Sequence, residues 1–403
     1  MLKLPPGHSG VLPNQHLKAA IDEGILNAGG YTIPPENVQP ASLDLRLGEI
    51  AYRIRCSFLP GVNRVEDRMK EYIVDVLDLH KDGAVLETGR PYLIPLKERL
   101  ELPPSVRAKA NPKSSTGRAD VFTRVITDHG SRFDEISPGY HGQLYLEVVP
   151  LSFPIRVKED LALNQLRLSV GRPRLSDEEI RTEQQVRPLL FVDGRPIPVA
   201  ELELSAGLFL GLDLRGALDR RVGYRARGSA PLLDMSLVGV ADPEQFWEPV
   251  LREEGDRIVL TPKDFYLLMS HEAVTISPNL AAEMTAYDPT SGELRTHYAG
   301  FFDPGFGFEA GGLSAGSTAA LEVRAHDVPF MIEHRQHVCK LTFEHMLEPP
   351  TMLYGRSIGS NYQHQTETLG KHFRIPTSGL DEPDSSAEKP GPGASPQDDT
   401  LFS

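Results

Sequence analysis

Two cysteines in 403 residues, Cys56 and Cys339, permit at most one disulfide and exclude a cysteine-built zinc site, which suits a reducing compartment. No apolar run approaches the roughly 20 residues of a membrane-spanning helix, and the start, MLKLPPGHSGVLP, lacks the apolar stretch of a secretory signal. A cytoplasmic protein without membrane contact is expected. Basic residues are in deficit, 42 against 56 acidic, for a formal charge of -14. No global field therefore draws in nucleic acid or anionic lipid, and a phosphate ligand must be met by a local basic cluster. His271-Glu272 is not followed by the second histidine of a zincin helix, H-x-E with P-C-x-x-C is missing, and so is the G-x-S-x-G elbow of serine hydrolases. No protein-bound metal is expected, and His334, His337 and His345 are read as scattered surface histidines.

What is present is a globular composition, 40% hydrophobic and 24% charged, punctuated by 35 glycines and 34 prolines. That density of turn formers favours short strands over long helices. One short helix is predicted after Pro13, with Leu17, Ala20, Ile21 and Ile25 at helical spacing and Gly29-Gly30 as its stop. From Gln39 the pattern alternates: SLDLRLGEIAYRI, YLIPLKERLELP, VFTRVIT, QLYLEVVPL and LNQLRLSV read as strands of a sandwich or barrel. Residues 172–230 break this rhythm and read as a structured connector. Residues 378–403 have the composition of a disordered tail.

The chain also resembles itself. PASLDLRLGE (40–49) matches PLLDMSLVGV (231–240), with Asp44 opposite Asp234. RPYLIPLKERLELPP matches DFYLLMSHEAVTISP, and PKSSTGR (112–118) matches PTSGELR (289–295). Residues 136–157 match 302–332, setting Glu147 opposite Glu322, and LNQLRLSV matches HRQHVCKLTF, setting Gln165 opposite Gln336. Five collinear matches predict two copies of one all-β domain, over 1–171 and 231–377.

PKSSTGR is the densest polar cluster. Lys113, Ser114, Ser115 and Arg118, with the flexible Gly117, can aim ammonium, hydroxyl, backbone N–H and guanidinium groups at one polyanion. The spacing is not that of a Walker A loop. Glu147 lies in a strand of apolar residues, where desolvation raises a carboxylate's pKa toward the range useful for proton transfer unless it is paired. Arg118 is its candidate partner, and a purely structural Glu–Arg pair is the competing reading.

The order QPASLDLRLG, PKSSTGR, SPGYHGQLYLEV, ALNQL and a late Tyr354, Tyr362 and Gln365 resembles the dCTP deaminase branch of the dUTPase-like superfamily, in its two-domain bacterial form. The resemblance implies tandem distorted β-barrels (β-clip) with trimer-like packing of domains in a homo-oligomer, and active sites at domain interfaces. It implies zinc-independent deamination of dCTP to dUTP and ammonia, supplying dUTP for dTTP synthesis. By motif position Glu147 is the general base, Ser114 and Arg118 orient the water, and Lys113 and Ser115 hold phosphates. The backbone of Val125, Ile126 and Thr127 reads the cytosine edge, and Tyr145, Gln165, Tyr354, Tyr362 and Gln365 are further substrate contacts. Mg²⁺ accompanies the triphosphate, and dTTP is an inhibitor. The tail departs from the family at Asn361, where a lysine is usual; Arg356 and Lys371 are the replacements to consider. Ser291, Arg295, Asp303 and Glu322 mark a second site. Two alternatives stay open: a bifunctional enzyme that carries dUTP on to dUMP, disfavoured because Ser137-Pro138-Gly139 lacks the usual aspartate, and a nucleotide-binding module without turnover.

Overall fold

The computed structural model describes residues 7–375 apart from 217–219, 287–293, 297–299, 310–313, 326, 356–357, 361, 364 and 366, with backbone alone at 286 and 294–296. The expected disordered tail and the replacement cation Arg356 lie outside the described residues, as do Asn361 and Ser291. Among the described residues no helix is long and apolar enough to cross a membrane.

The first helix, α1 (Asn14–Asp22), is capped by the extended Pro13 and buries Leu17 and Ala20. It stops earlier than predicted, at Gly24 rather than Gly29, because Gly24 takes the left-handed conformation (φ 73°). Six strands frame the first domain, β1 (Leu43–Arg46), β2 (Tyr92–Glu101), β3 (Val106–Pro112), β4 (Val121–Thr127), β5 (His141–Pro150) and β6 (Ala162–Val170), and all but β3 lie in the segments whose alternation predicted them. β1 and β3 flank β6 in one sheet, while β2 and β4 flank β5 in another. Both are antiparallel, and their inward faces share one apolar core.

The second copy repeats this plan with β7 (Leu208–Gly211), β8 (Phe265–Val274), β9 (Leu280–Ala286), β10 (Leu294–Thr296), β11 (Ser317–Ala325) and β12 (His337–His345). Register fixes the equivalences. Glu147 faces Leu93 across β5 and β2, and Glu322 faces Leu267 across β11 and β8, as the internal match predicted.

Three other matches are corrected by pairing. β1 pairs with β6 as β7 pairs with β12, down to the same bulge, so the counterpart of residues 43–46 is 208–211 and not the 231–240 segment. Leu233–Asp234 instead crosses over to pair, in parallel, with Ile155–Val157 of the first domain. By the same register Gln165 corresponds to Lys340 rather than Gln336. Leu294 sits across from Ala325 as Val121 sits across from Pro150, which gives Arg295 the strand position of Phe122, not the loop position of Arg118.

Residues 172–230 are likewise not a connector. Leu190–Val192 and Arg221–Ala226 both pair with β8, and β7 pairs with β12. The segment is the opening third of the second domain. It begins on the capped helix α2 (Asp177–Val186), where Ser176 and Glu179 form a capping box.

The two domains are packed through mixed chemistry. Phe153 meets Phe246 and Trp247 edge-on at 5.2 Å each, and Trp247 meets Phe373 at 5.7 Å. Asn111 donates to Glu283 (2.9 Å), and Lys109 pairs with the same carboxylate (2.6 Å). Arg167 of β6 is buried in the interface. It pairs with Asp303 (3.0 Å), donates to the Ala282 carbonyl (3.1 Å) and lies 4.0 Å from the centroid of Phe301.

Removing one partner from a buried, hydrogen-bonded ion pair leaves the other charge uncompensated. Arg167→Ala is therefore expected to destabilise the chain by about 3–5 kcal/mol in urea unfolding; a loss below about 1 kcal/mol would show that the pair carries little of the interface.

Candidate active site between the two domains

The PKSSTGR segment leaves β3 at Pro112. Lys113 is extended (φ -71°, ψ 146°), and Ser114–Gly117 then make a single helical turn. The Lys113 carbonyl accepts from the N–H groups of Thr116 (2.8 Å) and Gly117 (3.1 Å). This tight turn buries Ser115, Thr116, Gly117 and Arg118 against the second domain. Gly117 is required there by proximity: a Cβ would stand 2.4 Å from Glu322 Oε1 and 2.5 Å from Oε2.

Glu322 is thus the carboxylate that meets the loop. It is buried in β11, and its Oε2 has no hydrogen-bond partner among the described residues. Burial holds its pKa well above the ordinary carboxylate value, and the Asp120 charge adds to this while the Arg118 guanidinium opposes it. Pro112, Ser114, Arg118, Phe302, Phe306 and Glu322 help to enclose a cavity of about 60 Å³.

Arg118 is tied down by the chain's late segment. Its guanidinium donates to Gln365 Oε1 (2.6 Å) and to the Thr368 carbonyl (3.2 Å), and lies 3.8 Å from the centroid of the Tyr362 ring. Gln365 in turn donates to the Thr318 carbonyl (2.6 Å), and Tyr354 accepts from the Tyr362 N–H (3.2 Å). Tyr354, Tyr362 and Gln365, which the family resemblance implied as substrate contacts, all line the cavity.

A second cavity of about 190 Å³ shares the Lys113, Ser114, Asp303 and Tyr354 walls and adds Asp44, Ser115 and Gln165. Lys113 pairs with Asp44. Lys371 stands close enough that burial, and then the Lys113 charge, push its pKa down, with Asp44 opposing. Gln165 is held by the Ser42 hydroxyl (3.2 Å) and donates to the Pro112 carbonyl (3.3 Å). Asp303 is held at both oxygens, by Arg167 (3.0 Å) and by Ser42 (3.3 Å). The inner cavity thus joins a carboxyl, a hydroxyl and a guanidinium, and the outer one presents the Lys113 ammonium, a group suited to a polyanion.

Glu147 is not in this arrangement. It is fully buried on the β4–β5 face, where it accepts from Ser57 (2.6 Å) and Arg124 (2.8 Å). Its expected partner Arg118 lies instead near Glu322, with its hydrogen bonds made to the late segment. Val125, Ile126, Thr127 and Tyr145 surround Glu147's end of the sheet: Val125 N–H donates to Asp134 (2.7 Å), and Tyr145 donates to Glu66 (3.2 Å). None of them lines either cavity. Gly300, Phe301 and Phe302 of the second copy line the inner cavity instead. Sequence reading left out Asp44 as a wall, together with Phe301 and Phe306.

The fold and these two adjoining cavities define a tandem β-protein with a cleft lined by residues of both copies. Models of the 2'-deoxycytidine 5'-triphosphate deaminase N-terminal and C-terminal domains match residues 8–172 and 176–373. The chain belongs to the dCTP deaminase family. A crystal structure of 2'-deoxycytidine 5'-triphosphate deaminase from Agrobacterium tumefaciens is similar with 43% identity and a TM-score of 0.78, covering 85% of this chain and 99% of that one. The dCTP deaminase of Natronomonas pharaonis is 28% identical over 186 residues, 44% of this chain and 92% of its own. A dUMP-forming dCTP deaminase of Halobacterium salinarum is 29% identical over 159 residues, 39% of this chain and 78% of its own.

Gly117→Ala sets a methyl group against the Glu322 carboxylate and must displace it. Turnover is expected to fall at least about tenfold, since a misplaced reacting group is costly even at about 1 Å. Unchanged kcat would show that Glu322 does not act from this position.

Proposed function

We propose that the composite site hydrolyses dCTP to dUTP and ammonia without zinc, and that Glu322, not Glu147, is its general base. The observation that carries this reading is the buried Glu322 carboxyl against Gly117 and Arg118, with one oxygen unpartnered and lining the inner cavity. Glu322 takes a proton from water as the oxygen adds to C4 of the cytosine. The proton passes to the departing amine, the second water proton ends on the ring nitrogen N3, and the C4–N bond breaks to give the uracil carbonyl and ammonia. A carboxyl whose pKa is raised by burial is well matched to both taking and returning that proton. Ser114 and Arg118 orient the water and keep the carboxylate charged. Lys113, Ser115 and Lys371 face the triphosphate, with Lys371 in the role of the missing tail lysine.

Mg²⁺ would enter with the triphosphate, and Asp44 Oδ1, buried without a hydrogen-bond partner, is the oxygen suited to meet it or its waters. dTTP would compete for the same cleft. A trimer-like assembly would add contacts outside it.

The dUMP-forming reading gains weight from the relatives of that name and from Asp303, which the fold brings beside the first copy's loop. The Ser137 substitution therefore no longer argues against it. What does is the orientation of Asp303: one oxygen is turned to Arg167 (3.0 Å) and the other lies 3.3 Å from the Ser42 hydroxyl that also reaches Gln165, so only the remaining lone pairs are left for a water at a phosphate. Incubation with dCTP and Mg²⁺ separates the readings. Ammonia with dUTP is expected, dUMP with pyrophosphate would establish the bifunctional enzyme, and no product would leave a binding module.

Glu322→Gln is expected to lower kcat by about 10²–10⁴, the range for a lost general base, with little change in nucleotide affinity. Glu147→Gln should keep turnover within about tenfold of the parent. The opposite ranking would restore Glu147. Because the working form of Glu322 is the anion and its pKa is raised, kcat/KM should decline as pH falls through an inflection well above 4.5, the unperturbed value. A profile flat down to that value would remove Glu322 from the proton-transfer role.

A further inference from the structure

Outside the nucleotide cleft, the second domain brings together Asp213, just after β7, His271 in β8 and His334, just before β12. Each can bring one ligand atom within 4.8 Å of those of the other two. The domain repeat shows what this location does in the first copy. Gly48 N–H bonds the Pro95 carbonyl as Asp213 N–H bonds the Met269 carbonyl, and Asp160 N–H bonds Leu47 as Arg335 N–H bonds Leu212. Asp213, His271 and His334 therefore occupy the positions of Gly48, Lys97 and Glu159. In the first domain that location holds a cation: the Lys97 ammonium lies 2.8 Å from Asp160 and 3.3 Å from Glu159. In the second domain the lysine is gone, and three side chains that are metal-ligand types converge instead.

We propose that Asp213, His271 and His334 bind one divalent transition-metal ion, in the place where the first domain holds the Lys97 ammonium. Two imidazoles and one carboxylate suit Zn²⁺ better than Mg²⁺, which prefers an all-oxygen shell. The cysteine count that excluded a cysteine-built site does not bear on this set. His271 Nε2 is a buried atom without a hydrogen-bond partner, as an open ligand position requires. The His334 ring is oriented by Leu214 N–H (3.2 Å from Nδ1) and stands 3.6 Å from Asp213 Oδ1, so coordination through Nδ1 would exchange that long hydrogen bond for the metal. Of the two nearby cations Arg215 is held by Asp256 at 2.6 Å, while Arg335 opposes an ion. Ligand bonds of about 2.0–2.1 Å require the three groups to close by roughly 1 Å on the ion, and a water completes the tetrahedron.

The test uses untagged full-length chain stripped with a chelator. Calorimetric titration with Zn²⁺ is expected to show one ion per chain, and Co²⁺ to give the intense visible bands of tetrahedral nitrogen and oxygen ligation. Zn²⁺ should also raise the melting temperature. His271→Ala and His334→Gln, each checked for native circular dichroism, should weaken Zn²⁺ at least tenfold and abolish the melting shift. Absence of Zn²⁺ uptake by the folded parent chain, or equal uptake by both folded variants, would overturn the proposal. Turnover of dCTP is not the readout, so this outcome is independent of the proposed deamination.

Discussion

The contact of one domain's buried carboxylate with the other domain's arginine loop sets most of what surrounds it. Glu322 approaches so near that position 117 has no room for a side chain. It also needs a cation that cannot swing away, and Arg118 is held from three directions by Gln365, the 368–369 carbonyls and the face of Tyr362. Those tail residues are in turn held by β11 itself, through Gln365 and Thr318. The loop, the carboxylate and the tail are therefore one mechanical unit, and it exists only when both domains are packed.

Duplication supplied two of each part, and the two copies have diverged in opposite directions. Glu147 and Glu322 occupy the same strand position. Around Glu147, the segment carrying Ser57 and Val65–Met69 folds over the sheet, and Ser57 and Arg124 engage both carboxylate oxygens. A second pair shows the same exchange. Glu98 accepts the Arg46 N–H and pairs with its guanidinium, while Glu272 accepts the Gly211 N–H and has no such side chain beside it. Burial accordingly raises Glu272 with only backbone donors and the Arg335 charge opposing. Register persists through the repeat because a one-residue slip would turn every side chain to the wrong face; the charges riding on that register are free to change.

Much of this was legible before any coordinates. Alternation located the strands, and the 3.6-residue spacing after Pro13 located the first helix. The polar density of PKSSTGR, and the family resemblance at Tyr354 and Gln365, named residues that do converge. Residues 172–230 were misread because LLFV and GLFLGLDLRG are short apolar runs that follow an acidic helix, and each becomes recognisable as a strand only beside β8 or β12. The match of 40–49 to 231–240 followed shared letters, whereas the hydrogen-bond register followed 208–211. Glu147 was chosen over Glu322 for a different reason. Alternation shows that a carboxylate faces an apolar layer, but it carries no information about which other chain segment arrives on that face.

That missing information is also why the fuller motif set in the first copy pointed to Glu147. The site was expected to form around the first copy's loop and carboxylate with the second domain's tail over them, yet a loop and its carboxylate need only meet in space. A buried carboxylate without a partner costs about 1–3 kcal/mol or more. A chain therefore gains stability by satisfying any such group that no longer works, and Glu147, fully hydrogen-bonded, has the environment of a group released from function. Glu322 retains an unsatisfied oxygen, Asp44 does as well, and both line the connected cavities. Selection for stability alone would have removed both defects, so their persistence on the walls of one cleft is the physical reason to place the chemistry there.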